Sequence, residues 1–125
     1  MNSATLLAVA LAGALGATAR YGLVLALKPW LGATALPIAI VNVAGCFGFG
    51  VCWALAQGRW SPRTATAVLA GFFGAFTTFS TFAFDCQELL QERRIAAMLA
   101  NAAAQNVLGI AALWLGAALG SVLRS

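Results

Sequence analysis

Charged side chains divide this sequence into four long apolar runs, and this division limits the possible folds more than any other feature. Only 8% of the 125 residues are charged, against about 25% in a typical soluble domain. The runs are residues 4–27, a stretch between Lys28 and Arg59 that begins near Pro37, residues 64–84 and residues 95–123. A helix needs about 20 apolar residues to cross a bilayer. The sequence therefore predicts an all-α integral membrane protein, a single domain over residues 1–125 with four transmembrane helices.

Two other interpretations of the apolar runs are weaker. A cleavable signal peptide over residues 1–19 should begin with basic residues, but the first cation is Arg20. The strands of a transmembrane β-barrel would be shorter and would alternate between apolar and polar residues. We therefore expect residues 4–27 to form a first crossing of the mature chain.

The cations that flank the runs predict no fixed orientation in the membrane. Four crossings place three cations on one side and three or four on the other, whereas orientation follows an asymmetry of cations. They are Arg59 and Arg63 in loop two and Arg124 at the C-terminus, against Lys28 in loop one and Arg93 and Arg94 in loop three, with Arg20 near the end of the first crossing. Insertion in both directions would permit an antiparallel homodimer with its two-fold axis in the membrane plane. Four helices enclose little space, so self-association is expected on that ground too.

The composition argues against several classes of function. The chain has no histidine, and its only acids are Asp85, Glu88 and Glu92. Zinc sites and histidine-based acid–base catalysis are therefore not expected, and the chain is predicted not to be an enzyme. The three cysteines are odd in number and suit packing better than disulfides. The seven cations form no stripe, which argues against nucleic acid as a partner.

The third run contains the strongest candidate for an ion site, over residues 71–84. Four hydroxyl residues alternate with four phenylalanines after Gly74; they are Thr77, Thr78, Ser80, Thr81, Phe76, Phe79, Phe82 and Phe84. Glycine and β-branched residues weaken a helix. A break within the membrane is tolerated where its backbone lines a polar cavity, and such breaks coordinate ions through carbonyls. We therefore predict a broken third helix at an ion pathway.

The phenylalanines make this site more specific for an anion. Phe79 and Phe82 are three residues apart and share one face of a helix. The edge of a phenyl ring is positive, so two ring edges can flank an anion that has lost water. The alternative is that the rings only pack, while the hydroxyls bond to carbonyls four residues earlier.

Polar residues in the other runs have two possible roles each. The amide of Asn42 could donate to an anion in a pore, or bond to another helix. Arg20 could attract anions into a vestibule, or extend to the membrane surface. Asn101 and Gln105 share a helix face and could line a pore or join helices.

In this order, three of these segments resemble the Fluc (CrcB) fluoride channel family. They are Gly16-Ala-Thr-Ala-Arg20-Tyr21, Val41-Asn42-Val43-Ala44-Gly45 and Gly71-Phe-Phe-Gly-Ala-Phe-Thr-Thr-Phe-Ser-Thr-Phe82. The third segment is highly specific, and the resemblance covers essentially the whole chain. By ungapped counting, Asn101 and Gln105 stand where some relatives present a tyrosine and a serine to the pore.

The resemblance implies a fluoride-selective passive channel that exports F⁻ and gives fluoride resistance. It implies an antiparallel, dual-topology homodimer with two pores, in the plasma (inner) membrane of a prokaryote-like cell. A structural Na⁺ would lie at the dimer centre on the carbonyls of Gly74 and Thr77. Arg20 would be the vestibule cation. The pore residues would be Asn42, Phe79, Phe82, Thr78, Ser80 and Thr81, with Asn101 and Gln105 at the fourth-helix positions.

Three rival functions fit the sequence less well. A small four-helix drug/proton antiporter needs a carboxylate within the membrane, and the first acid here is Asp85, at the end of the third run. A non-transporting assembly subunit would leave the cluster of threonines and phenylalanines unexplained. A membrane-embedded enzyme lacks catalytic groups.

Overall fold

The computed structural model describes residues 2–125, so residue 1 of the predicted domain lies outside the described part. Four long helices follow one another, and the described residues form no β-strand. We call them the first to fourth spans; they are Ser3–Leu31, Leu36–Ala56, Pro62–Gln91 and Ile95–Arg124. All four are long and apolar enough to cross a membrane. The prediction of an all-helical protein with four apolar helices is confirmed.

The ends of two spans differ from the prediction. The first span ends at Gly32, which has a φ of 74° and donates its N–H to the Lys28 carbonyl at 2.8 Å. The third begins after Ser61, whose hydroxyl accepts from the Thr64 N–H at 3.1 Å. Lys28 and Arg63 were predicted in loops, and this was wrong, because capping residues extend both helices past these cations. Both cations remain at the predicted ends of their spans.

The third span is also longer than the uncharged run at residues 64–84. It continues to Gln91 and so includes Asp85 and Glu88. Its final turn ends just before the exposed ion pair of Arg94 and Glu92, whose atoms are 3.3 Å apart. The apolar run therefore underestimated the length of the third span, because a helix can extend beyond the hydrocarbon into the polar interface.

The second and fourth spans pack against each other through glycines. A Cβ on Gly116 would collide with the Phe47 carbonyl, and a Cβ on Gly50 would collide with the Leu113 carbonyl. Backbone atoms therefore meet directly at this interface, as small residues allow between membrane helices.

The first and third spans pack in the same way and run in the same direction. A Cβ on Gly16 would collide with the Phe72 carbonyl. One turn further along both helices, Arg20 contacts the carbonyl of Ala75. This register places the first span beside the middle of the third.

The outer surface of the described chain is apolar. Leu15 and Ile110 are 67% and 73% exposed, and Trp30, near the end of the first span, is 85% exposed. Within the chain, Val41 is completely buried. Such an apolar surface is suited to contact with lipid. Tryptophan is common where a span meets the membrane surface.

Candidate functional site

The third span is broken near its middle. A helix over Pro62–Thr66 continues as a π-helical stretch over Ala67–Phe73 and a short turn over Gly74–Phe76. Thr77 and Thr78 are extended, with ψ values of 155° and 115°, and the helix resumes at Phe79. The break therefore lies within the segment of glycine, threonine and phenylalanine in which the sequence predicts it.

Asn42 of the second span holds the broken backbone. Its Oδ1 accepts from the Thr78 N–H at 2.9 Å, and its Nδ2 donates to the Thr78 carbonyl at 3.1 Å. The side-chain amide thus bonds both polar groups of one residue, as a neighbouring β-strand would. Backbone groups away from water must be paired in this way, so Asn42 makes the break tolerable.

The same break frees two carbonyls from the helix pattern. In an unbroken helix, the Gly74 carbonyl would accept from the Thr78 N–H, which bonds Asn42 instead. The Thr77 carbonyl would accept from the Thr81 N–H, which instead donates to the Thr78 hydroxyl at 3.3 Å. Gly74 and Thr77 are the two predicted carbonyl ligands of Na⁺, and both have lost their usual helix partner.

Three side-chain amides form a row that begins at the break. Asn42 Nδ2 donates to Gln105 Oε1 at 2.8 Å, and Gln105 Nε2 donates to Asn101 Oδ1 at 2.9 Å. Asn101 Nδ2 in turn lies 3.5 Å from the sulfur of Cys86. Gln105 is only 9% exposed. The row therefore connects the second, third and fourth spans through polar groups in an otherwise apolar interior.

An open groove of about 200 Å³ lies beside the break. It is lined by Asn42, Cys46, Thr77, Thr78, Phe79, Phe82, Gln105 and Asn106. Five of the predicted pore residues are in this lining. The other three are one hydrogen bond away: Asn101 through Gln105, and Ser80 and Thr81 through the Thr78 hydroxyl at 3.2 and 3.1 Å. The structure thus brings together residues from three spans.

Sequence reasoning missed Cys46 as a lining residue. It is four residues after Asn42, and this spacing places both on the same helix face. That periodicity was the available signal, but a cysteine in an apolar run is usually a packing residue.

Phe79 and Phe82 form a pair at the groove. Their ring centroids are 5.4 Å apart with an angle of 53° between the planes. Phe79 is 79% exposed in the single chain. The alternative predicted for the hydroxyls holds for Thr77, which bonds the Phe73 carbonyl at 2.9 Å. Thr78 instead caps the helix that follows the break.

Arg20 lies at the level of the break. Its Nε donates to the Ala75 carbonyl at 3.1 Å. A cation is favourable at the carboxyl end of a helix, and the first half of the third span ends within two residues of this contact. Its guanidinium has four further N–H groups. The vestibule role of Arg20 stays a prediction.

The comparisons with known proteins agree with one another. Residues 7–124 match the family described as CrcB-like protein, Camphor Resistance (CrcB). A fluoride-specific ion channel FluC of Solidesulfovibrio magneticus is 48% identical, over 92% of this chain and 94% of that protein. One of Nitratidesulfovibrio vulgaris is 44% identical, over 90% of this chain and 94% of that protein. These relatives are named as ion channels, and the prediction that the chain is not an enzyme is confirmed. Because the family match spans almost the whole chain, the protein is a member of the CrcB-like family, as its three sequence segments indicated.

Proposed function

We propose that this protein is a fluoride-selective passive channel that exports F⁻ across the membrane and so gives fluoride resistance. The observation that carries the proposal is the break at Thr77 and Thr78, beside which a pair of phenyl rings and the side-chain amides of Asn42 and Gln105 line one groove. Relatives that cover most of the chain are named fluoride-specific ion channels. The channel would act in the plasma (inner) membrane of a prokaryote-like cell.

The groove has the chemistry that a dehydrated anion needs. Ring edges of Phe79 and Phe82 offer positive charge density, and the amide and hydroxyl side chains of the same lining offer hydrogen-bond donors. The groove's lining includes no acid, so no carboxylate there repels an anion. Fluoride is small and strongly hydrated, so donors at close range would offset its loss of water.

Efflux from liposomes tests this function directly. Purified protein is reconstituted into vesicles loaded with KF, and a fluoride electrode records release after valinomycin provides a path for K⁺. We expect rapid F⁻ release and no Cl⁻ release in parallel vesicles loaded with KCl. Release no faster than from protein-free vesicles, or equal release of both anions, would refute the proposal.

The working form is proposed to be an antiparallel homodimer with two pores. The groove is open on one side, where Phe79 is exposed, and a second copy would close it. A Cβ added at Gly74 would meet nothing within 4 Å, which leaves the break accessible to another chain. The near balance of flanking cations favours insertion in both directions.

A cysteine in loop two tests the dual topology. In a variant without the native cysteines, Gln57→Cys is treated in intact cells with a maleimide that does not cross membranes. We expect labelling of about half of the molecules, because the cations give no directional bias. The same variant with two added lysines in this loop is the control, and its labelling should move far from half. Labelling of all or none of the Gln57→Cys molecules would exclude dual topology.

A structural Na⁺ is proposed at the centre of this dimer. Carbonyl oxygens at an interrupted membrane helix are suitable ligands for Na⁺, and the Gly74 and Thr77 carbonyls have lost their usual helix donors. The same two carbonyls from each copy would hold the ion. Its chemistry would be electrostatic, since it would compensate converging carbonyl dipoles and tie the two breaks together.

Replacement of Na⁺ by N-methylglucamine is expected to lower the melting temperature of the dimer. An ion that binds only the folded dimer stabilises it by about 2.7 kcal/mol at a hundred times its Kd. Melting is followed in detergent by intrinsic tryptophan fluorescence at constant ionic strength, with Li⁺ and K⁺ as size controls. Equal melting temperatures in all four salts would argue against the site.

A further inference from the structure

We propose that the end of the molecule formed by loop two and the last turn of the fourth span binds the phosphate of an anionic phospholipid. Arg59 and Arg124 are the residues that would contact this phosphate, and we call them the arginine pair. The site is separate from the groove beside the break, and the inference does not depend on the proposed channel function.

The second and fourth spans run in the same direction and finish at the same end of the molecule. Gly116 lies against Phe47, and one turn later on both helices Gly120 lies against Val51. Loop two follows the second span, so it lies beside the last turn of the fourth span. Packing of the two helices therefore brings together segments that are far apart in the chain.

Loop two holds Arg59 at this meeting point. Gly58 has a φ of 70°, a left-handed value that favours glycine. The Ala56 carbonyl accepts from the N–H groups of Arg59 and Trp60, each at 3.2 Å. The Arg59 side chain then reaches across to the fourth span, where its Nη2 donates to the Arg124 carbonyl. The turn and this hydrogen bond keep the two arginines next to each other.

No acidic side chain lies at this end of the molecule. All three acids of the chain are at the opposite end, in the last turns of the third span and in loop three; they are Asp85, Glu88 and Glu92. A guanidinium has five N–H groups. One from Arg59 bonds the Arg124 carbonyl, and no residue among 2–125 accepts from the others or from the Arg124 side chain. Two adjacent cations without a counter-ion should attract an anion.

The surface beside the arginine pair is apolar. Val122 and Leu123, which directly precede Arg124, are exposed, and so is Trp53 in the last turn of the second span. A free phosphate ion would gain nothing from these side chains. A phospholipid would place its acyl chains along them and its phosphate at the depth of the cations, as lipids do at basic sites between membrane helices. The combination of free cations and exposed apolar side chains favours a lipid.

Native mass spectrometry of the wild-type protein tests the site. Protein in detergent is titrated with palmitoyl-oleoyl-phosphatidylglycerol and, separately, with the phosphatidylcholine that has the same acyl chains. We expect one phosphatidylglycerol per chain to bind at least about tenfold more tightly than phosphatidylcholine, whose choline cation offsets the charge of its phosphate. Equal Kd values for the two lipids would overturn the proposal.

Charge removal at each end of the molecule locates the site. Arg59→Gln combined with Arg124→Gln is expected to weaken phosphatidylglycerol binding about thirtyfold, because each cation near an anionic lipid contributes about a factor of five. The control is Arg93→Gln combined with Arg94→Gln, which removes the same charge from the opposite end, where Glu92 pairs with Arg94 at 3.3 Å. Its Kd should equal that of the wild type. Equal weakening in both double variants would show attraction by net charge alone and contradict a site at the arginine pair.

Thermal melting in detergent distinguishes a lipid from a free phosphate ion and from a second copy of the chain. Phosphatidylglycerol is expected to raise the melting temperature of the wild type, whereas inorganic phosphate at the same ionic strength is not. An equal rise with inorganic phosphate would overturn the lipid assignment. A variant without Arg59 and Arg124 that binds phosphatidylglycerol as the wild type does, but no longer forms the proposed dimer, would assign the two arginines to contact with a second copy. If that variant fails to fold, the comparison of the two lipids on the wild type still decides.

Discussion

Phe79→Ile and Phe82→Ile are each expected to reduce F⁻ efflux by about ten- to a hundredfold. Isoleucine keeps an apolar side chain at the groove but lacks the positive ring edge. A cation over a ring face gains about 0.5–1 kcal/mol at an exposed site and about 2 kcal/mol or more when desolvated. We assign the attraction between an anion and a ring edge a similar magnitude, because the same ring quadrupole produces it. Each 1.36 kcal/mol on a barrier changes a rate about tenfold. The rings lie 5.4 Å apart, and both line the groove. Loss of either should therefore leave the anion incompletely coordinated.

The liposome assay measures this effect, and size-exclusion chromatography checks that each variant still forms the proposed dimer. Phe84→Ile is the matched control, because Phe84 is on the same helix and 59% exposed but does not line the groove. Its efflux should equal that of the wild type. If Phe79→Ile and Phe82→Ile also conducted at the wild-type rate, ring edges would have no part in fluoride passage.

Gly116→Ala is expected to cause a larger loss of stability than any of the groove substitutions. The added Cβ would collide with the Phe47 carbonyl, and a backbone carbonyl in a packed helix cannot rotate away. Overpacking of this kind costs about 1–3 kcal/mol, occasionally more. The second and fourth spans should therefore separate, and this would also pull Asn42 away from Gln105. Thermal melting in detergent, followed by tryptophan fluorescence, measures the change.

Gly22→Ala is the control for this substitution. A Cβ at Gly22 has nothing within 4 Å, and the residue lies inside the first helix. Alanine there is expected to stabilise the helix by about 0.5–1 kcal/mol relative to glycine. Equal melting temperatures for the Gly116→Ala and Gly22→Ala variants would show that the interface adjusts to the added methyl group. The prediction that direct backbone contact between the second and fourth spans excludes a methyl group would then be wrong.

Much of the fold could be predicted because lipid imposes a simple rule. Runs of about 20 apolar residues must cross as helices, since no other open structure pairs its backbone in hydrocarbon. The position of the break was predictable for a related reason: glycine and threonine weaken a helix locally. The ends of the spans were less predictable. Lys28 and Arg63 lie inside helices because Gly32 and Ser61 set the boundaries.

The sequence by itself therefore determined that this protein is a four-span membrane protein with a polar interruption in its third apolar run. Its motifs also indicated the family. Only the tertiary structure decided which groups the polar side chains contact. Asn42 contacts Thr78 across 36 positions of the chain and Gln105 across 63. These bonds depend on which helix faces meet, and the glycine contacts between the spans fix those faces. The sequence does not show which way the amide of Asn42 is oriented. Once its oxygen accepts from the Thr78 N–H and its NH₂ donates to the Thr78 carbonyl, only one orientation forms both hydrogen bonds.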